Sequence, residues 1–79
     1  MMTRKYEEIV DDIWDIIVIG NATDVAKELI NARNAFQAEN QAGCFNPGSI
    51  LMEHGVTPKF HAAVMHEYNR IASEVRQAG

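Results

Sequence analysis

Cysteine is almost absent from this chain: Cys44 stands alone, so no internal disulfide can form, and a reducing, cytoplasmic setting is the default reading. Long apolar runs are missing as well. The longest, Ile16-Ile17-Val18-Ile19, lies between Asp15 and Gly20, far short of the roughly 20 residues a membrane span needs. The opening residues Met1 to Glu8 lack the apolar stretch of a secretory signal and turn acidic early, unlike a transit peptide. Basic residues are few: 7 Lys and Arg face 11 Asp and Glu, a formal net charge of −4. Such a molecule repels polyanions, which disfavours direct binding to nucleic acid or to an anionic membrane. The partner this balance favours is a larger protein or ribonucleoprotein with a basic surface.

Catalytic and metal signatures are missing too. His61 and His66 are five residues apart, which separates them on a helix, and there is no HExxH, CxxC or paired Glu-x-x-His arrangement. Cys44 sits in the loop Gly43-Cys44-Phe45-Asn46-Pro47-Gly48 without the local pattern of a cysteine enzyme. No metal, cofactor or catalytic residue is therefore assigned, and the chain is read as non-enzymatic. His61, beside an apolar stripe, is expected to be a half-buried residue with one hydrogen bond.

What is present is helical periodicity in a globular composition, 47% hydrophobic with two prolines and five glycines. From Thr3 to Ile19, Tyr6, Ile9, Val10, Ile13, Trp14, Ile16 and Ile17 fill one arc of roughly 160° on a helical wheel. A strand over Ile16 to Ile19 has no second strand candidate to pair with. Gly20 suits a left-handed helix stop, and Asn21 or Thr23 can cap a second helix from Asp24 to Gln41. Its inward stripe is Val25, Leu29, Ala32 and Phe36, widened by Ala26 and Ile30, and Gly43 is its stop. Arg33 is expected to lay its stem over the core and pair with a carboxylate. Ser49 is placed as the cap of a short helical turn through Ile50 to Glu53, ending at Gly55. Thr57-Pro58 starts the last helix, with Phe60, Val64, Tyr68, Ile71 and Val75 as its stripe to about Gln77. The expected fold is all-α: a single domain, residues 1–79, forming a small bundle of three long amphipathic helices and one short helical turn. A chain of this length buries only roughly 60–65% of its unfolded surface, so a partner or a second copy would add useful stability.

Two surface features stand out. Glu7, Glu8, Asp11, Asp12 and Asp15 all fall opposite the apolar arc of the first helix, where they repel one another at i, i+3 and i+4. They are the candidate partner-binding residues, with Glu8, Asp12 and Asp15 as the central row. Val18 and Ile19 lie on that same acidic side and should be covered, either by an early helix end, by the Gly43 to Gly55 segment folding over, or by a second copy in a homodimer.

Leu51 to Thr57 and the helix after it resemble a helix-turn-helix with Gly55 in the turn, although His61 stands where that motif has an aliphatic residue. The outer face of the last helix then offers Lys59, His66 and Arg70 as a thin basic line. This gives a DNA-binding regulator as one alternative and a structural homo-oligomer as another. In size, acidity and fold class the chain resembles the small helical inhibitors of bacterial machinery encoded by phages, including anti-CRISPR proteins. That resemblance of profile implies an inhibitor or adaptor that docks on a basic surface of a larger partner.

Overall fold

The computed structural model describes residues 4–78, with backbone alone for residues 75–78, so Val75 as a core residue lies outside it. Arg4 and Lys5 are not helical, so the first helix begins at Tyr6, later than the apolar period from Thr3 suggests. Four helices follow in order, α1 (Tyr6–Ile19), α2 (Ala22–Ala38), α3 (Pro47–Glu53) and α4 (Pro58–Ala78), with no strand among the described residues. The chain is an all-α bundle of three long helices and a short one.

Each helix end has a local cause. Lys5 has no side chain able to accept a hydrogen bond, so α1 is capped from elsewhere: the Glu39 carboxylate accepts from the Tyr6 N–H at 2.7 Å. A carboxylate there also meets the positive end of the helix dipole. Gly20, at φ 83°, ends α1 by donating its N–H to the carbonyls of Ile16 and Ile17. Asn21 caps α2, its Oδ1 accepting from the N–H groups of Thr23 and Asp24, so this helix starts two residues earlier than Asp24. It also stops before Gln41 and well short of Gly43. Asn40 takes the left-handed position at φ 54°, with Asn40 N–H bonded to Gln37 C=O and Gln41 N–H to Phe36 C=O, a Schellman closure that asparagine tolerates. For α3 the cap is Asn46, whose Oδ1 accepts from Ser49 N–H at 3.2 Å, and not Ser49 itself. Pro47 and Gly48 are thus helical rather than loop. Thr57 Oγ1 accepts from Phe60 N–H at the start of α4 as the Thr-Pro pair predicts.

Both α1 and α4 pack against α2, and α3 packs on α4. The main core joins Ile13 of α1, Val25, Ala26, Leu29 and Ile30 of α2, Ile50 and Leu51 of α3, and Val64 and Tyr68 of α4. Beside it, Ile9, Ala32 and Ala35 form a second buried group. Tyr6, Phe36 and Phe45 close this end of the bundle, with ring centroids 5.4 to 6.2 Å apart. No charged side chain is fully buried among the described residues. The polar ties between helices run along the rim: Arg4 binds Asp12 of α1 and both oxygens of Glu28 of α2, and Thr23 Oγ1 donates to Glu67 of α4 at 3.1 Å.

Candidate functional site

The inward face of α1 is consumed by the core: Ile9 and Ile13 are buried, and Tyr6, Val10, Ile16 and Ile17 are half-buried. Its outward face is open. Glu7, Glu8, Asp11 and Asp15 are exposed, and none of them forms an ion pair among the described residues. Asp12 differs from its neighbours. It stands at the edge of the acidic arc that faces α2, where Arg4 binds it and Glu28 together, so the free carboxylate row is Glu7, Glu8, Asp11 and Asp15. The Arg4 guanidinium holds the Glu28 carboxyl below its ordinary value against the opposing pull of burial.

Around and beyond Asp15 the same face also carries apolar side chains. Val18 is 83% exposed, Ile19 76% and Trp14 50%, and Met52 near the end of α3 is 74% exposed. Two expectations fail here. Trp14 was placed in the inward arc, but it sits at that arc's edge, one helical turn before Val18, and only part of its indole finds cover. Of the covers expected for Val18 and Ile19, the two within the chain, an early helix end and the Gly43 to Gly55 segment, are not formed. Helix α1 instead runs through Ile19, and the segment after Gly43 is drawn elsewhere, putting Ile50 and Leu51 into the core and His54 against Trp14.

The His54 contact is close: the imidazole stands edge-on to the indole at 90°, with ring centroids 3.9 Å apart. Neither His54 ring nitrogen has a hydrogen-bond partner, and both are shielded from water. Desolvation therefore pushes the His54 pKa below its ordinary 6.5, against a weaker opposing pull from Glu53. Because the folded chain binds this proton less readily than the unfolded chain, the stabilisation is complete above pH 6.5 and declines as pH falls towards the folded-state pKa. Glu28, whose pKa is also lowered, adds a second loss below its ordinary 4.5. Trp14 emission, read against pH, is expected to change with a midpoint below 6.5, and His54→Gln should abolish that step. A midpoint at or above 6.5 would show that the imidazole is solvated.

Other candidate residues gain no chemistry from the fold. His61 is half-buried with its ring beside Gly48, and its side chain makes no hydrogen bond among the described residues, unlike the single bond expected. The expected Arg33 ion pair is not formed among the described residues, and its Nε is buried without a partner. Cys44 is exposed. Among the described residues no group of three or more His, Cys, Asp or Glu could hold a metal ion. Two shallow hollows of about 280 and 400 Å³ flank Phe60, where the end of α1 meets the start of α4. Neither contains a paired acid and base. On α4, Arg70 is bound by Glu67 and Glu74, which leaves Lys59 as the cation without a carboxylate partner among the described side chains of that helix. This depletes the basic line a DNA-reading helix would need. No described helix is long and apolar enough to cross a membrane.

No protein family, curated protein or solved structure matches the chain.

Proposed function

We infer that the protein is a non-enzymatic, cytoplasmic binding module, an inhibitor or adaptor, that docks on a basic surface of a larger protein or ribonucleoprotein through the outer face of α1. One observation carries this reading: a single helix whose inner face anchors the core presents on its outer face four carboxylates without an ion pair among the described residues, beside half-exposed Trp14 and uncovered Val18 and Ile19. Repulsion among acids at i, i+3 and i+4 weakens an isolated helix, and among the described residues only Asp12 has a cation, Arg4, to relieve it. A basic partner would. Long-range attraction between unlike surfaces also speeds encounter, an effect suited to a small protein that acts by occupying a larger one. The profile shared with phage-encoded inhibitors, small, acidic and all-α, is consistent with that mode of action.

The test is capture of a partner from a bacterial lysate by the tagged protein, compared with a variant carrying Glu8→Lys, Asp11→Lys and Asp15→Lys. Asp12 is left intact because its bond to Arg4 ties α1 to α2. Loss of the captured protein at unchanged helical circular dichroism is the expected result. Capture that survives the reversal would reduce the acidic face to a solvated surface.

A further inference from the structure

We propose that the outer face of α1 receives a basic amphipathic helix, whose apolar stripe seats on Trp14, Val18 and Ile19 while its lysines or arginines meet Asp11 and Asp15. The proposal rests on the binding role inferred above and specifies the chemistry of the occupant. Three observations favour such a segment. First, the apolar and acidic residues interlock on one rod. Asp11 and Asp15, Trp14 and Val18, and Asp15 and Ile19 are each one helical turn apart, so a partner cannot cover the apolar side chains without meeting the carboxylates. Second, α1 ends without any basic residue in its last turn, so the negative end of its dipole lies beside Val18 and Ile19. A cation on the incoming segment completes what the chain omits. Third, fourteen residues of helix make ridges about 21 Å long, which suit the grooves of another helix better than a point contact.

A second copy of this chain fits less well. Pairing α1 with α1 about a two-fold axis would set one row of carboxylates against the other, and α1 carries no cation to relieve them. Trp14 is the one tryptophan of the chain and lies half-exposed at the edge of this face, so its emission reports occupancy.

The probe is a synthetic tryptophan-free peptide of leucine and lysine, with leucine at i, i+3, i+4 and i+7, titrated into the full chain. A scrambled peptide of the same composition and a leucine–glutamate analogue serve as controls. The expected result is a saturable blue shift of Trp14 emission with the amphipathic peptide, at least tenfold weaker binding of the scrambled one, and none of the acidic one. Val18→Asn with Ile19→Asn, both at exposed positions, should weaken binding at least tenfold without loss of helical circular dichroism. Equal binding of the scrambled peptide, no response of Trp14, or a dimer by light scattering that Ile19→Lys breaks would each overturn the proposal. If partner capture depends on Glu8, Asp11 and Asp15 while the Val18/Ile19 variant captures normally, this proposal fails and the docking role stands. If capture ignores both sets of changes, both fail.

Discussion

Leu29→Ala is expected to lower the thermal midpoint by roughly 10 °C or more, because deleting a buried leucine costs about 2–5 kcal/mol and each kcal/mol shifts a domain of this size by about 4–8 °C. Leu29 is fully buried on α2, the helix against which both α1 and α4 pack, in a cluster with Ile13, Ile50, Leu51, Val64 and Tyr68. Those neighbours come from the other three helices, so none can fill the space without pulling another out of place. The total stability of a 79-residue chain is only about 4–12 kcal/mol, which makes this loss a large share of it. Differential scanning calorimetry reads the shift. A change under about 3 °C would mean that α1 and α4 do not share one core through α2.

The reversal of Glu8, Asp11 and Asp15 to lysine should weaken partner binding at least about 100-fold, with most of the loss at low salt. Each change replaces an attraction to a basic partner by a repulsion, and the three residues span the open face where such a partner must lie. Stability should not suffer. Glu7 and Asp12 remain, each four residues from an introduced lysine, so those two pairs become attractive and offset the lysine–lysine repulsions created at 8/11 and 11/15. Affinity measured by calorimetry at two ionic strengths separates the outcomes: equal loss at both would point to damaged packing and not to lost charge.

The two predictions draw on opposite faces of one helix, and those faces were legible to different degrees. The apolar period of α1 marks Ile9 and Ile13 as core because both lie inside its arc, on the side away from Trp14. Trp14 lies at the border, where a shift of a few tens of degrees decides between core and solvent, and periodicity has no such resolution. Thr57-Pro58 announces α4 because a capping oxygen precedes a residue that needs no N–H partner. Asn46-Pro47 carries the same chemistry, yet the surrounding glycines gave that segment the look of a loop. Asn40 displaced Gly43 as the stop of α2 because the left-handed position is set by which carbonyls lack partners, a property of the chain's path.

The acidic face was visible as a cluster, but the separate fate of Asp12 was not. Its partner Arg4 is shared with Glu28, 24 residues away on another helix, and no local pattern reports a tie of that range. Coverage of Val18 and Ile19 was equally a question about distant segments. The answer depended on Ile50 and Leu51 entering the core and His54 packing on Trp14, which leaves Val18 and Ile19 open.

The most direct measurement is the map of amide shifts in the ¹⁵N-labelled protein as its captured partner is added. Changes centred on Glu8, Asp11, Asp15, Val18 and Ile19, together with the Trp14 indole N–H, are what a docking face on α1 requires. Changes gathered instead around Lys59 and His66, with the first helix undisturbed, would contradict it.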